Sequence, residues 1–543
     1  MAAERITKGP PLSTKGPSAD PHHPRSLIRS AGIMGLATGL SRVLGFIRDW
    51  LIALTYGTSF TAQAFVVAFR IPNLFRDLVA EGAANAAFVP VFSRVRAREG
   101  EGSWRALAHA VWGRLVIGFA LLCVLGVLAA PWLVRAIAPG FRSDPQLTRL
   151  TVDLTRILFP FIGVVGAAGF FMGLLNSIHQ FALPSLGPVF FNMGMIAGIL
   201  LWSEGARGLA WGAIAGGILQ VLIQVPSVRR AGVDLTVRIR SHAGVRQISR
   251  MMTPRIAGGA VHQVSVLVDT VFASFAHLVG AGGVAALYFA NRFLQMPLAI
   301  FGISMAQAAL PTLSAQVEAE DLPAARRTLA LALRASVMVA LPATVGLIAL
   351  GRPIIQVLLE HGEFSAQATH MTTRALQWYA LGLCSFCVVK VLANALYAFH
   401  DTWTPVRSAA AALAVNVILN ALLIRPMGLS GLALATSAAA TQNALDLYAA
   451  VRRRLGPAPA GFGGTVARML AASLAMGLAA RWIWAMGAAR ATASGAAAAA
   501  GWLLFTIAAA VTVLAGAALL LRIEEARRAL EWVLAWNRRS AKG

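Results

Sequence analysis

Long apolar segments separated by short polar ones make up most of the chain from about residue 28 onward. Most of them are close to the roughly 20 residues that a helix needs to cross a bilayer. They run apolar throughout, whereas the strands of a membrane barrel alternate apolar and polar positions. The pattern predicts an all-α polytopic membrane protein with about 14 transmembrane helices. The segments lie at roughly 28–47, 60–80, 107–134, 152–176, 184–202, 208–226, 254–279, 284–308, 329–350, 375–398, 408–424, 429–450, 466–487 and 496–521.

The composition agrees with this class. Of the 543 residues, 57% are hydrophobic and only 13% are charged, whereas about a quarter of a soluble domain is charged. A soluble enzyme is therefore excluded. The chain also has no phosphate-binding loop of the Gly-x-x-x-x-Gly-Lys-Ser/Thr type and no His-Glu-x-x-His zinc motif, so we expect a protein that is not an enzyme.

The net charge of +25 is concentrated in the short loops. Lys and Arg number 29 in the loops and tails on one side of the predicted helices and 9 in those on the other side. The positive-inside rule makes the first side cytoplasmic and places both termini there. The excess charge thus predicts a topology, and we expect no nucleic-acid partner.

An internal repeat divides the apolar part of the chain. The string HQFALP at 179–184 recurs as HDTWTP at 400–405, and Pro90 and Pro311 are likewise 221 residues apart. Each repeat spans six predicted helices, which favours two pseudo-symmetric lobes that face each other across a transport path. The predicted units are a polar cytoplasmic tail (1–26), an N-lobe (27–230), a C-lobe (245–453), two further helices (463–521) and a basic cytoplasmic tail (522–543).

Several arginines fall inside apolar segments, where an unpaired cation costs at least about 2.5 kcal/mol. Arg42, Arg48, Arg70 and Arg76 crowd the first two predicted helices, and Arg292 adds a cation from the second repeat. Planar guanidinium groups suit phosphate, so this set favours an anion-binding cavity over side chains that each reach separately for the membrane surface. Asp49, beside Arg48, can either hold one of the guanidinium groups or cap the cytoplasm-distal end of the first helix.

These residues belong to strings that resemble the signature of the MurJ/MviN-type lipid II flippases. The resemblance runs from about residue 27 to the C-terminal tail. It implies the fold of the multidrug/oligosaccharidyl-lipid/polysaccharide (MOP) exporter superfamily, with a cationic cavity and a groove for a lipid tail along the last two helices. The strings are SRVLGFIRD (41–49), AFRIPNLFR (68–76), AEGA (80–83), AFVP (87–90), APGF (138–141), YFANR (288–292) and HDTWTP (400–405).

The resemblance also assigns site residues. It implies substrate binding by cavity positions matched in this chain by Arg42, Arg48, Asp49, Arg70, Arg76 and Arg292. Two positions that can be acidic in relatives are Gln63 and Asn291 here. Both departures make the cavity more positive, so a role of those acids in binding or proton coupling is in doubt for this chain.

Some relatives bind sodium in the second lobe. The matching positions are Asp269, Asn416, Asn420 and Thr436, whose oxygen atoms suit a hard cation. Asn and Thr also commonly form hydrogen bonds between membrane helices, and this alternative stays open. Apart from this candidate sodium ion we expect no cofactor.

The function hypothesis is translocation of an undecaprenyl-pyrophosphate-linked peptidoglycan precursor (lipid II) from the inner to the outer leaflet by alternating access. The expected partners are this lipid, the surrounding membrane lipids and other cell-wall synthesis proteins. A flippase for another polyprenyl-linked oligosaccharide is the nearest alternative, because arginines that bind the pyrophosphate would not distinguish between lipids that share this group. A drug/cation antiporter would need an acidic cavity in the first lobe, and a scaffold protein would leave the arginines unexplained.

Overall fold

A computed structural model describes residues 24–76, 84–202, 205–457, 461–525 and 527. Within these ranges the chain is helical, without a strand. Eight described helical segments are long and apolar enough to cross a membrane, and two of these, Pro145–Ser177 and Ala206–Arg230, each join two of the helices named below. One bent pair adds a further span. The all-α membrane class is thus confirmed, whereas the count of 14 helices stays a prediction. The tails predicted at 1–26 and 522–543 and the string at 80–83 lie largely outside the described residues.

The N-terminal half of the bundle comprises residues 24–230 and contains eight described helices. A 3-10 turn at Pro139–Ser143 joins α3 to α4, and α3 contains a non-helical residue, Gly100, at its bend. The helices are α1 (Pro24–Tyr56), α2 (Phe60–Phe75), α3 (Ala84–Ile137), α4 (Pro145–Leu158), α5 (Phe161–Ser177), α6 (Ala182–Leu201), α7 (Ala206–Leu222) and α8 (Val225–Arg230).

The C-terminal half comprises residues 243–455, and two further helices follow it. A π-helical segment at Leu298–Ile303 lies between α11 and α12. The helices are α9 (Ala243–Ala273), α10 (Ala276–Val279), α11 (Gly283–Pro297), α12 (Ser304–Glu318), α13 (Leu322–Leu359), α14 (Ala366–Leu381), α15 (Leu383–Ala398), α16 (Trp403–Met427), α17 (Leu429–Leu455), α18 (Phe462–Ala493) and α19 (Ala496–Leu520).

The backbone repeats at the interval seen in the sequence. His179 and His400 are 221 residues apart, and both have a positive φ, 62° and 58° respectively. Each follows the end of its helix, α5 or α15, by two residues. The paired spans that these helices complete are interrupted at Pro160 and at Gly382, again near the same interval, and the second is bent by 43°. The repeat is therefore structural as well as sequential.

The two halves meet along what we call the seam, formed by Leu54, Gly57, Thr58, Gly140, Ser274, Gly282, Gly362 and Glu363. Backbone atoms approach closely there: the Glu363 amide donates to the Leu54 carbonyl at 2.9 Å, and the Gly140 amide donates to Ser274 Oγ at 2.9 Å. A Cβ at Gly57 would lie 2.1 Å from the Glu363 carbonyl oxygen. Glycine is thus required for this approach.

A single buried apolar cluster extends across both halves beside the seam. It includes Ile52 of α1, Phe65 of α2, Phe289 of α11 and Leu376 of α14. The Phe289 ring also packs edge-on against Phe364, with the centroids 5.4 Å apart. This cluster fixes the facing surfaces of α1 and α11, which carry the charged residues described next.

Candidate substrate cavity and cation site

Arg48 lies on α1 and is only 7% exposed. Its Nε and Nη2 atoms donate to Oδ1 of Asp49 at 3.0 and 2.7 Å. Its Nη1 atom donates to Oδ1 of Asn192 on α6 at 2.8 Å. Asn192 in turn donates to the Ser41 carbonyl at 3.1 Å. The Arg48 guanidinium is therefore held in one orientation from two sides.

Asp49 connects the two halves of the protein. Its Oδ1 atom also accepts a hydrogen bond from the Tyr288 hydroxyl at 2.9 Å, and its Oδ2 atom lies 3.1 Å from Nε of Arg292. Tyr288 and Arg292 are on α11, one helical turn apart, as their spacing of four residues requires. One carboxylate thus pairs with Arg48 from the N-terminal half and Arg292 from the C-terminal half.

Arg292 is further held by an aromatic ring. Its guanidinium carbon lies 4.9 Å from the centroid of the Tyr288 ring, and its Nη2 atom donates to the Tyr288 hydroxyl at 3.2 Å. Contacts of a cation with an aromatic face contribute about 0.5–2 kcal/mol. The side chain is still 38% exposed, so it can contact a ligand.

These side chains line a cavity of about 270 Å³ between the halves. Three arginines and one aspartate give its charged surface a formal excess of positive charge. The charged lining residues are Arg42, Arg48, Asp49 and Arg292, and the apolar ones include Phe46, Trp50, Phe289, Phe293, Met296 and Leu359. Apolar walls with a few convergent cations suit a ligand that joins an anionic group to an apolar one.

Arg70 and Arg76, the other arginines expected in the cavity, are not among its lining residues. Arg76 follows the end of α2, with its guanidinium carbon 6.0 Å from the centroid of the Phe191 ring. Arg70 lines a second, much smaller cavity of about 30 Å³ together with Asp269 and Tyr379. The structure thus separates the predicted arginine set: Arg42, Arg48 and Arg292 line the larger cavity, Arg70 lines the smaller one, and Arg76 lines neither.

The four residues of the predicted cation site come together between α9, α16 and α17. Asn420 Nδ2 donates to Asp269 Oδ1 at 2.8 Å, and Thr436 Oγ1 donates to Asp269 Oδ2 at 3.0 Å. Asn416 Oδ1 accepts from Asn420 at 3.2 Å, and Asn416 Nδ2 donates to Thr436 Oγ1 at 3.3 Å. Asn416 and Asn420 are 1% and 0% exposed, so the two amides are shielded from solvent, whereas Asp269 and Thr436 are partly buried.

One atom of this network fits a cation. Asn420 Oδ1 is buried and has no hydrogen-bond partner among the described residues, although buried carbonyl oxygens normally have one. The available ligands are one carboxylate, two amide oxygens and a hydroxyl. Such a set suits a hard monovalent ion such as sodium. The described residues contain no cluster of three His, Cys, Asp or Glu side chains.

Comparison with known proteins places the fold and the family. A model of the lipid II flippase MurJ family matches residues 52–508. The chain is 35% identical to the lipid II flippase MurJ of Burkholderia cenocepacia over 442 residues, which cover 79% of this chain and 84% of that protein. It is 34% identical to a probable lipid II flippase MurJ of Rhizobium meliloti, over 78% of this chain and 80% of that one.

This chain belongs to the lipid II flippase MurJ family.

Solved structures share the fold of this chain. A lipid II flippase MurJ in an inward closed conformation superposes with a TM-score of 0.76 at 24% identity, covering 92% of this chain and 99% of that one. An inward-facing multidrug transporter of the MATE family in the MOP superfamily gives a TM-score of 0.65 at 16% identity, over 76% and 94% of the chains. The predicted superfamily fold is confirmed, and the family is one of transporters rather than a class of catalytic enzymes.

The two departures at acidic positions have definite places in this MurJ-family fold. Gln63 is buried on α2, 6% exposed. Asn291 lines the small cavity with Arg70 and Asp269, and its Oδ1 atom accepts from Gln295 Nε2 at 2.6 Å. Neither position contributes a negative charge here.

Asn192 and Tyr288 are site residues that the sequence patterns alone do not single out. Tyr288 stands four residues before Arg292 within a quoted string, and this spacing on a predicted helix was a usable signal. Asn192 gives a weaker signal, because one amide in an apolar segment also occurs in ordinary helix packing. Its contact with Arg48, 144 residues away, follows only from the fold.

Proposed function

We propose that this chain is a flippase that moves lipid II, the undecaprenyl-pyrophosphate-linked peptidoglycan precursor, from the inner to the outer leaflet of the bacterial cytoplasmic membrane. The observation that carries the proposal is the bridge from Asp49 to Arg48 and Arg292. It joins cations from both halves at a single cavity. Curated relatives at 31–35% identity over most of the chain are named as flippases or probable flippases of this lipid.

The lining of the cavity supports recognition of a pyrophosphate. The guanidinium groups of Arg42, Arg48 and Arg292 present planar donors in one space. In the absence of a ligand, Asp49 supplies the anion between Arg48 and Arg292. A pyrophosphate that enters competes with this carboxylate for the same donors, and the carboxylate favours release when the two halves change their arrangement.

The lipid tail requires an apolar path outside this cavity. Helices α18 and α19 expose a series of large apolar side chains, including Leu474, Leu478, Trp482 and Leu504. Stretches of small residues such as Ala496–Ala500 leave room on the same pair. We propose that the prenyl chain stays in lipid along this pair while the head group passes through the cavity.

We also propose that the network of Asp269, Asn416, Asn420 and Thr436 holds a sodium ion. The buried, unpartnered Oδ1 atom of Asn420 supports this assignment. A bound sodium ion would neutralise the charge of the Asp269 carboxylate inside the membrane. The hydrogen bonds within the network hold the oxygen atoms that would bind the ion near one another.

The proposed topology follows the distribution of Lys and Arg. Both termini face the cytoplasm, and the seam lies at the periplasmic end of the bundle, where α1 ends and α2 begins. The expected partners are lipid II, the surrounding lipids and other proteins of cell-wall synthesis.

Complementation tests the proposal. Bacterial cells depleted of their own lipid II flippase would express this chain, Arg48→Ala, Arg292→Ala or the control Arg135→Ala, with membrane levels checked by blotting. Arg135 is an exposed arginine near the end of α3. We expect rescue by the unaltered chain and the control, and none by the two cavity variants.

Two outcomes count against parts of this proposal. Rescue by Arg48→Ala and Arg292→Ala at normal levels would show that these two arginines are not needed to bind the pyrophosphate. Failure of the unaltered chain in properly inserted form would point to another polyprenyl-linked oligosaccharide as substrate. A drug/cation antiporter is disfavoured because the charged cavity residues of the N-terminal half include two arginines against one aspartate.

A further inference from the structure

Two opposite charges from different halves of the protein share the small cavity. Arg70 is on α2 of the N-terminal half, and Asp269 is on α9 of the C-terminal half. Both line a space of about 30 Å³, together with Tyr379 and Asn291. This volume is on the scale of one or a few water molecules, so the two charged groups interact with little screening.

Arg70 differs in its partners from Arg48 and Arg292. No hydrogen bond or ion pair joins its guanidinium to another residue in the described part of the chain, and its Nε atom is buried without an acceptor. Arg48 and Arg292 both pair with Asp49. A half-buried guanidinium without a bonded anion, beside a carboxylate, indicates a role that depends on that carboxylate.

Asp269 is incompletely neutralised. Its two oxygens accept hydrogen bonds from neutral groups, Asn420 and Thr436, and no described cation forms an ion pair with it. A carboxylate inside a membrane needs a positive charge nearby. Arg70 supplies this charge across the small cavity in the arrangement that the structure shows.

We propose that Arg70 is a tethered counter-cation that competes with sodium for Asp269, so that sodium binding is linked to separation of α2 from α9. This inference rests on the proposed sodium site. With the halves together, the Arg70 charge opposes entry of a second cation beside Asp269. With the halves apart, the carboxylate is left without a counter-charge and its affinity for sodium rises.

The contacts of the seam determine which arrangement of the two halves sodium favours. Thr58, just before α2, packs against Gly282, just before α11, and Gly140 bonds to Ser274, just after α9. Moving α2 away from α9 therefore requires that these contacts separate. Coupling is reciprocal: if seam opening raises the affinity for sodium, then sodium favours an open seam.

Sodium titration of the purified protein provides the first test. The midpoint of thermal unfolding would be followed against NaCl, with KCl keeping the ionic strength constant, for the unaltered chain, Arg70→Gln, Arg70→Lys and Asp269→Asn. Removal of the competing charge in Arg70→Gln should lower the half-saturating sodium concentration by about tenfold. Arg70→Lys, which keeps the charge, should stay within about threefold of the unaltered chain, and Asp269→Asn should lose the response.

The outcomes separate the two proposals. A sodium response that is unchanged or weakened in Arg70→Gln overturns the competition and leaves the sodium site standing. The absence of any sodium response, in the unaltered chain and in Arg70→Gln alike, overturns both. A response that survives Asp269→Asn places sodium elsewhere and likewise overturns both.

Accessibility of the seam provides the second test, and its main comparison, made without any Arg70 substitution, does not depend on the Arg70 variants folding. Thr58→Cys would be made in a background in which Cys123, Cys384 and Cys387 are replaced, and labelled with a membrane-impermeant maleimide in sodium or in potassium. We expect sodium to increase the labelling rate several-fold. In Arg70→Gln the rate should already be high in potassium and change little with sodium. Equal rates in the two salts without the Arg70 substitution would overturn the linkage.

Discussion

The Oδ2 atom of Asp49 lies 3.1 Å from Nε of Arg292, and this ion pair crosses between the two halves of the protein. The same carboxylate binds Arg48 in its own half. Two cations that would repel each other are thus held at one cavity by a single internal anion. Any anionic ligand must compete with it, so Asp49 adjusts both affinity and release.

Asp49→Asn should therefore uncouple binding from release. The asparagine leaves Arg48 and Arg292 without a full counter-charge, which should lower the free energy of unfolding by about 3 kcal/mol. Inorganic pyrophosphate should bind more tightly, because its internal competitor is gone, while complementation is lost. Calorimetric titration with pyrophosphate measures the first effect. The matched control is Asp153→Asn, which removes a half-exposed ion pair with Arg156; equal pyrophosphate affinities of Asp49→Asn and the unaltered chain would contradict competition.

Asn192→Ala should weaken transport by releasing Arg48. The variant removes the amide that accepts from Arg48 Nη1 at 2.8 Å and leaves a buried donor less well paired, a loss of about 1–2 kcal/mol. We expect rescue of depleted cells to require about tenfold more protein, measured with a graded promoter. Asn443→Ala, which removes an amide bonded to Ser408, is the control and should rescue at the ordinary level. The same requirement for both variants would mean that Asn192 serves only helix packing.

Tyr288 allows the hydroxyl and the ring to be tested separately. Tyr288→Phe removes the hydroxyl that bonds to Asp49 and Arg292 but keeps the ring under the guanidinium. Tyr288→Leu removes both. Pyrophosphate affinity should change little in the first variant, and in the second it should fall about fivefold as the Arg292 orientation is lost. An equal loss in Tyr288→Phe and Tyr288→Leu would show that the hydroxyl, not the ring, orients Arg292.

The sequence predicts the helical class and the repeat because both are encoded by periodic apolar runs and by recurrent strings. It also predicts that Arg48 and Arg292 belong to one site, because an unpaired cation inside a membrane is costly and a common anionic ligand offsets that cost for both. It does not predict that Arg70 lies beside Asp269. The proximity of Arg70 and Asp269 depends on how α2 of one half is placed relative to α9 of the other half. Local sequence patterns do not encode this tertiary arrangement. The contact between Asn192 and Arg48 escapes prediction for the same reason.

Gly57→Ala should shift the protein toward an open seam. Gly57 has a φ of 50°, and an added Cβ would lie 2.1 Å from the Glu363 carbonyl oxygen and 3.1 Å from the Phe364 amide nitrogen. The left-handed backbone costs a non-glycine residue about 1 kcal/mol. The contact with rigid backbone adds to this only while the seam is closed. The substitution thus penalises the closed arrangement more than the open one, and labelling at Thr58→Cys should rise in potassium as well as in sodium.

Gly102→Ala is the matched control, because a Cβ there meets nothing within 4 Å. Unchanged labelling in Gly57→Ala would show that the seam can shift to accommodate a methyl group without opening. If labelling rises and the half-saturating sodium concentration falls with it, the opening of the seam and the affinity of Asp269 vary together. That joint change requires the two sites to share one equilibrium, because Gly57 itself does not line the cavity of Asp269.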